Sequence, residues 1–133
     1  MSDTASIQAA LTKGGVIDIT TTGAKTGQAR RVEIVFFPID GRIYITGSPG
    51  RRAWIANLNA DPHMTFHLKK GLTADLPATA RVISDPDERR PIITHVTTAW
   101  NKEAAFEAFF EDAPLIEVTF DDATLVGSTA SAA

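Results

Sequence analysis

Two short turns that combine glycine with basic residues are the part of this sequence most suited to chemistry. Residues 22–27 read Thr-Gly-Ala-Lys-Thr-Gly, residues 48–52 read Ser-Pro-Gly-Arg-Arg, and a predicted β-hairpin separates them. Turns of this composition can bring backbone N–H groups and positive charge up to an anion. Two of them at opposite ends of a hairpin suggest that an anionic cofactor is held across one sheet.

The first turn is not a nucleotide-binding P-loop. That motif requires a glycine directly before the lysine and another glycine upstream, whereas Ala24 precedes Lys25 and the upstream position is not glycine. What remains is a tight bend that presents Lys25 and the hydroxyl of Thr26, with Arg30 and Arg31 just downstream. An exposed hairpin turn with solvated basic residues would have the same composition, so both interpretations stay open.

The second turn enters a predicted helix, and the N-terminus of a helix attracts anions through its free N–H groups and its dipole. Arg51 and Arg52 stand at that end. The dipole favours acidic residues there, so the arginines are easier to understand if an anion binds. An ordinary strand–helix connection with two surface arginines explains the sequence equally well.

Aromatic and amide side chains follow the second turn. Trp54 and Asn57 lie three positions apart on one face of the predicted helix. Trp54 either stacks on a planar ring or fills the core, and Asn57 either caps a helix end or binds a ligand. Further along, Trp100 and the phenylalanines after it could wall a pocket for a flat apolar substrate, although their helical spacing is more typical of core.

The histidines do not indicate a metal site. His63 and His67 share one face of a predicted strand, two pleats apart, with no third histidine nearby in the sequence, so zinc is not expected. The chain also has no cysteine, which excludes disulfides and thiolate ligands. His95 on a late helix could donate a proton, but it is more typical of a surface or packed residue.

The charge distribution fits a local site for a small anion. The chain of 133 residues has a net charge of -3, yet residues 20–70 hold eight Lys and Arg against three Asp and Glu, and residues 71–133 hold four against eleven. This argues against nucleic-acid binding, which requires a larger positive field. No signal sequence or bilayer-spanning apolar run is visible, so a cytoplasmic location is the default expectation.

Hydrophobic alternation and turn residues predict an α+β fold with an antiparallel sheet or barrel. An irregular or bulged piece is expected at residues 74–77. The strands are expected at residues 16–22, 31–39, 42–46, 64–69, 79–84 and 115–120. The helices are expected at residues 5–13, 52–59, 85–100 and 102–111.

Turn and capping residues support these boundaries. Asp40 followed by Gly41 predicts a two-residue hairpin turn, and Asp85 followed by Pro86 predicts a helix start. Residues 1–126 are expected to form one domain, and residues 127–133 are expected to be a disordered tail.

Taken together, these residues resemble the deazaflavin (coenzyme F420)-dependent nitroreductase family, a branch of the flavin/deazaflavin oxidoreductases. The resemblance covers roughly residues 17–68 and rests on the order and spacing of its parts. Those parts are the turn at 21–27, the hairpin at 40–41, the loop at 48–50 and the segment 54–58 followed by Asp61-Pro62. The resemblance implies an antiparallel split β-barrel, FMN-binding-like, of about six strands with two to four helices.

The resemblance also implies a function and a set of site residues. The protein would be an enzyme that transfers a hydride from reduced F420 to an electron-poor apolar acceptor such as a quinone, a nitroaromatic or an enone. The residues implied to hold the cofactor's phosphate are Lys25, Thr26, Arg30 and Arg31. Those implied to line its ring are Thr46, Gly47 and Ser48. Those implied to meet its phosphate or acidic tail, or to pack on it, are Arg51, Arg52, Trp54 and Asn57.

The resemblance does not identify the proton donor or the oligomeric state. Ser48 and His95 are the candidate proton donors, and water could serve instead. Split barrels are often homodimers, but some members of this family are monomers, so a homodimer is one of two expectations.

Departures from the family pattern keep two alternatives open. The loop before Trp54 is shorter than in many members, and Ile55 replaces a second aromatic residue, which also suits FMN-binding split barrels. The only tyrosine, Tyr44, is predicted within a central strand, whereas nitroreductases of the family often place tyrosines near the substrate. The alternatives are an FMN-dependent oxidoreductase of the same fold and a non-catalytic protein that binds a flavin, F420 or a haem-type ligand.

Overall fold

The computed structural model describes residues 4–125 of the chain. Its α-helices are α1 (Thr4–Lys13), α2 (Ala53–Ala60), α3 (Pro86–Ala99) and α4 (Phe106–Asp112). Its strands are β1 (Gly15–Thr22), β2 (Ala29–Ile39), β3 (Arg42–Thr46), β4 (His63–Leu68), β5 (Ala74–Val82) and β6 (Leu115–Phe120). The predicted tail at residues 127–133 lies outside the described residues. Within the described part, no helix is long and apolar enough to cross a membrane.

The six strands form a closed antiparallel barrel in the order β1-β2-β3-β6-β5-β4. The β2–β3 hairpin turns at Asp40 and Gly41, whose φ angles of 52° and 78° are both positive. A two-residue turn of this kind requires positive φ at both positions, which Asp and Gly tolerate. The predicted α+β antiparallel barrel is therefore confirmed, and its β2–β3 hairpin turns where the sequence predicted.

The barrel closes between β1 and β4, where only three residue pairs meet. His67 of β4 reinforces this closure on the outer face of the barrel. Its Nε2 lies 2.7 Å from Thr20 Oγ1 on β1, and its Nδ1 lies 2.7 Å from Asp75 Oδ1 on β5. This chain of side chains ties three neighbouring strands together, which explains why a histidine on the outer face is buried.

Alternating apolar side chains fill the barrel interior. Phe66 lies at its centre, and its ring packs edge-on against Phe36 at 5.1 Å and Phe120 at 5.0 Å between centroids. Leu11 of α1 and Leu58 of α2 join the same cluster. Burying a side chain of this size contributes roughly 1.5–3 kcal/mol to the stability of the fold. The barrel can therefore hold the turns at its rim in fixed positions.

Helices α3 and α4 pack outside the barrel. Tyr44 and Leu115 on the outer faces of β3 and β6 meet Ile93 of α3 and Phe109 of α4 in a second apolar cluster. The packing brings the end of α4 beside the end of β3. That end of β3 leads directly into the second basic turn.

Arg89 fixes α4 against α3. Its guanidinium is buried and donates hydrogen bonds to the carbonyls of Phe110 at 2.9 Å, Ile83 at 3.0 Å, Phe109 at 3.2 Å and Ala113 at 2.8 Å. Burial lowers the pKa of Arg89. Carbonyls at a helix C-terminus carry partial negative charge, so they suit a buried cation that makes no ion pair with a carboxylate of residues 4–125.

The prediction of an irregular or bulged segment at residues 74–77 is wrong, because these residues begin β5. In a strand, the N–H and C=O of one residue point to the same neighbouring strand. The carbonyl of Pro77 accepts from the N–H of Asp121, which lies just past the end of β6. The missing N–H of Pro77 therefore costs no hydrogen bond of the ladder.

The predicted helix at residues 102–111 starts later than expected. Asn101 has a φ of 58°, which ends α3 in the left-handed region. A 3-10 turn at Glu103–Ala105 follows, and α4 begins only at Phe106.

Candidate functional site

A groove runs along β2 between the two basic turns. It consists of two adjoining cavities of about 410 Å³ each, which share Val32 and Trp54 as lining residues. The predicted residues that line the first cavity are Lys25, Thr26, Arg30, Arg31, Trp54 and Asn57. The predicted residues that line the second cavity are Thr46, Gly47, Ser48, Arg52 and Trp54. The structure thus brings ten of the predicted cofactor residues into one groove.

Asn57 positions the first turn. It is buried on α2, where its Oδ1 accepts from the N–H of Ala24 at 2.9 Å and its Nδ2 donates to Thr21 Oγ1 at 3.0 Å. The turn itself closes with the N–H of Gly27 donating to the carbonyl of Gly23 at 2.9 Å. Because both ends of the Asn57 amide are already paired, this residue holds the turn against α2.

The cations of the first cavity differ in how they are paired. Lys25 and Arg30 are exposed, and their side chains make no hydrogen bond or ion pair with any residue of the described part. Arg31 donates from Nε to Asp18 Oδ2 at 2.9 Å, and Asp18 also accepts from Lys69 Nζ at 2.7 Å. Hydrogen bonds from Lys69 and then Arg31 lower the pKa of Asp18. Lys25 and Arg30 are therefore the cations left to meet an anion.

Arg52 and the end of α4 position the second turn. Arg52 folds back and donates to the carbonyls of Arg51 at 2.9 Å and Ser48 at 3.0 Å. The N–H of Gly50 donates to the carbonyl of Asp112 at 3.0 Å. These hydrogen bonds hold the second turn in place, so the main role of Arg52 is structural.

Thr46 anchors the strand that enters this loop. It is buried, and its hydroxyl donates to the carbonyl of Pro114 at 2.5 Å. Its backbone pairs with Val35 and Leu115 in the sheet. Gly47 and Ser48 follow it on the wall of the groove, and the hydroxyl of Ser48 makes no hydrogen bond within the described residues.

Arg51 lies just outside the groove. It lines a third cavity of about 440 Å³ that shares Ala53 and Ala56 with the first cavity. Arg51 is exposed and makes no ion pair or hydrogen bond through its side chain within residues 4–125. It stands at the start of α2, whose N-cap residue Arg52 gives no side-chain cap, so the first N–H groups of the helix are open to an anion.

His95 does not lie in the groove. It lines a separate recess of about 360 Å³ together with Tyr44. The ring of Phe37 stands between the two sites, 6.3 Å from the His95 ring and 5.3 Å from the Trp100 ring between centroids. Trp100 in turn lines the second cavity of the groove. Of the two candidate proton donors, Ser48 is at the groove and His95 is not.

Some residues of the groove were not predicted as site residues. Val32 and Ala56 line it, and neither type suggests a binding role by itself. The alternation of β2 and the three-residue spacing of Ala53 and Ala56 on α2 are the only signals that could have located them. Trp100 was expected as a pocket wall or as core, and it is half-buried on the wall of the second cavity.

Solved structures with low sequence identity share this fold. A protein described as an F420-H2 dependent reductase is 23% identical, with a TM-score of 0.57 over 78% of this chain and 93% of that chain. A conserved hypothetical protein from Mycobacterium tuberculosis is 16% identical, with a TM-score of 0.69 over 91% of this chain and 82% of that chain. A chain described as a domain-swapped dimer is 24% identical, with a TM-score of 0.58 over 78% and 79% of the two chains.

A family match covers most of the sequence. Residues 1–109 match the F420H(2)-dependent quinone reductase family. This match confirms the resemblance to deazaflavin-dependent enzymes and the expected cofactor F420, which it favours over FMN. The protein therefore belongs to the F420H(2)-dependent quinone reductase family and is an oxidoreductase that uses F420.

Proposed function

We propose that the groove along β2 binds F420 with its phosphate at the first turn and its ring toward the second. The observation that carries this proposal is the pair Lys25 and Arg30, two cations without partners in the described part of the chain, at the mouth of a cavity floored by Val32 and Trp54. Unpaired cations favour phosphate oxygens as ligands. An apolar floor beside them suits the flat ring of the same molecule.

The donor set along the groove matches the chemistry of this cofactor. Lys25, Arg30 and the free edge of Arg31 would hold the phosphate, with the hydroxyl of Thr26 beside them. Arg51 at the start of α2 would meet the acidic tail. Gly47 and Ser48 would line the ring, because Arg52 and the end of α4 hold their loop in place.

The reacting end of the groove lies in its second cavity. When bound, reduced F420 supplies the hydride, and the protein orients the cofactor and excludes water from the reacting face. Trp54 and Trp100 both line this cavity, together with Ile34 and Val35 of β2. Indole and aliphatic walls exclude water and favour a flat apolar molecule.

We therefore propose an electron-poor apolar acceptor, a quinone in the first place, with nitroaromatics and enones as further members of the class. Ser48 is the side chain at the groove that could give a proton to the reduced acceptor. His95 is separated from the groove by Phe37 and Trp100, so water is the alternative donor.

The test is a titration of the purified protein with F420 and with FMN while tryptophan fluorescence is followed. A turnover assay then uses reduced F420 with 2-methyl-1,4-naphthoquinone and measures the return of oxidised F420 absorbance. Tight F420 binding with quinone turnover supports the proposal. FMN that copurifies with the protein would point to a flavin enzyme instead, and F420 binding without any turnover would point to a non-catalytic carrier.

We also propose that the protein forms a homodimer. The support is the structural neighbour described as a domain-swapped dimer, which has the same fold. Sedimentation equilibrium over a range of protein concentrations would measure the mass directly. A mass of 14.3 kDa at all concentrations would contradict the dimer. A cytoplasmic location stays a prediction, which cell fractionation would test.

A further inference from the structure

A second recess lies on the outer side of the barrel, between the start of β3 and helix α3. Its volume is about 360 Å³. Asp40 and Arg42 of the β2–β3 hairpin form one rim, and His95 of α3 stands at the other. None of these residues contributes to the proposed F420 groove.

Tyr44 lines this recess. The residue is 7% exposed, and its hydroxyl makes no hydrogen bond with any residue of the described part. Buried tyrosine hydroxyls normally have a partner. Across residues 4–125, no fully enclosed side-chain oxygen or nitrogen lacks a partner, so this hydroxyl has access to the recess rather than being sealed in the core. Its hydrogen-bond partner therefore comes from outside the protein, either water or a bound ligand.

Arg42 and Glu88, which line the recess, form an ion network with Arg81 and Glu117 behind it, and these four charges neutralise one another. Glu117 accepts from Arg42 at 3.1 Å and from Arg81 at 2.7 Å, and Arg81 also donates to Glu88 at 3.0 Å. This network contains two cations and two carboxylates. Asp40 at the rim is the remaining charge, and it has no ion-pair partner among residues 4–125. The recess as a whole is therefore slightly negative, in contrast to the F420 groove.

The walls between these polar groups are apolar. Ile39, Pro91 and Ile92 line the recess beside the ring of Tyr44. The ring of His95 lies edge-on to that of Phe37, at 6.3 Å between centroids. A cavity with apolar walls and a few converging polar groups is the usual form of a small-molecule site.

We propose that this recess binds a small aromatic molecule that is neutral or carries one positive charge. The ring of the ligand packs between Ile92 and Pro91. Its polar group meets the hydroxyl of Tyr44 and the imidazole of His95, and a positive charge is balanced by Asp40. The proposal is independent of the function of the groove.

The single tyrosine of the chain allows a direct test. In the full-length protein labelled with 13C at tyrosine Cζ, only Tyr44 gives a signal. The probes are benzamidine, benzamide and benzoate, which have the same ring and similar size but carry positive, zero and negative charge. Benzamidine and benzamide are expected to shift the Tyr44 signal in a saturable manner, and benzoate is expected to bind at least about tenfold more weakly than benzamidine.

Two variants locate the binding while keeping the tyrosine signal. His95→Ala is expected to raise the dissociation constant of both active probes about fivefold, the effect of one lost hydrogen bond. Asp40→Asn is expected to weaken benzamidine and to leave benzamide unchanged. Thr94→Ala, an exposed change on α3 outside the recess, is the matched control. The absence of a saturable shift with any probe at about 10 mM, equal binding of benzoate and benzamidine, or unchanged constants in both variants would overturn the proposal.

Discussion

Asn57 shows how a residue predicted to touch a ligand can act through the backbone instead. Its amide accepts from the N–H of Ala24 and donates to Thr21, so it holds the first turn rather than offering itself to the cofactor. The sequence places Asn57 in the site but does not reveal this role, because its partners lie more than thirty residues away. Thr46 is a similar case, since its hydroxyl is bonded to the carbonyl of Pro114.

We expect Asn57→Ala to lower both stability and F420 affinity. The change removes the acceptor of the part-buried Ala24 N–H and the donor to the buried hydroxyl of Thr21, which costs roughly 1–3 kcal/mol. The affinity falls because the first turn is no longer held. Urea unfolding and F420 titration measure the two effects. The control is Asn59→Ala, an exposed change on the same helix, which should alter the free energy of unfolding by less than about 0.5 kcal/mol.

Lys25→Ala and Arg30→Ala are expected to weaken F420 binding by roughly 1–3 kcal/mol each if these side chains contact phosphate. Because both cations are exposed and unpaired, their removal should leave the free energy of unfolding nearly unchanged. The dissociation constant of each variant should also depend less on salt than that of the wild type. Lys13→Ala, at the end of α1, is a control of the same residue type. If both variants bind F420 as tightly as this control, the phosphate site lies elsewhere.

At the scale of single elements, local rules predicted most of the secondary structure. The Asp40–Gly41 turn has the positive φ angles that its residues allow, and Asp85 accepts from the N–H of Asp87 at 3.2 Å as the predicted cap of α3. The exception is Pro77, which is compatible with a strand only because β6 ends opposite it. That depends on the length of another strand, which a local pattern does not contain.

Arg89 links the packing of two helices to the groove. It binds three carbonyls at the end of α4, and the same segment accepts hydrogen bonds from Gly50 of the second turn and from Thr46, which lines the second cavity. Arg89 is therefore a positioning residue for the loop that carries Ser48.

We expect Arg89→Met to lower the free energy of unfolding by about 3 kcal/mol or more, because several buried carbonyls lose their donor. In the variant that remains folded at low temperature, the KM for the quinone should rise more than the F420 dissociation constant, since the loop borders the acceptor side. Arg90→Gln, at the neighbouring exposed arginine, should cost about 1 kcal/mol or less. A stability loss without any change in KM would limit Arg89 to a structural role.

The ion network on the outer face of β1 and β2 predicts an acid-sensitive contribution to stability. Hydrogen bonds from Lys69 and Arg31 lower the pKa of Asp18 in the folded protein. A lowered carboxyl pKa stabilises the fold above the ordinary aspartate value of about 3.9, and the contribution is lost as the pH falls through the lowered value.

Asp18→Asn should therefore lose less stability than the wild type when the pH is lowered from about 6 to 3, because it has no carboxyl group to protonate. Urea unfolding at intervals across this range measures the difference. Glu111→Gln, an exposed change on α4, should follow the wild-type curve. If the free energies of unfolding of Asp18→Asn and the wild type changed in parallel with pH, the network would not contribute to the acid sensitivity.

At the scale of the whole molecule, the class of fold was predictable and the strand order was not. Antiparallel hairpins follow from short connections, but β3 pairs with β6 across a separation of more than seventy residues, as in the pair of Ile43 with Val118. Such pairings depend on how the helices pack outside the sheet. The position of the two basic turns along one groove was not predictable either, because the closure of the barrel sets the distance between them.

The short seam between β1 and β4 has a consequence for how the barrel opens. With only three residue pairs, it is the joint at which transient local unfolding should begin, so its amide protons should exchange with deuterium before those of the other strand pairs. Strand β1 leads directly into the turn that carries Lys25. A molecule that binds this turn only when the barrel is closed stabilises the closed form. It should therefore slow deuterium uptake at the seam, even though it contacts neither Phe66 nor His67.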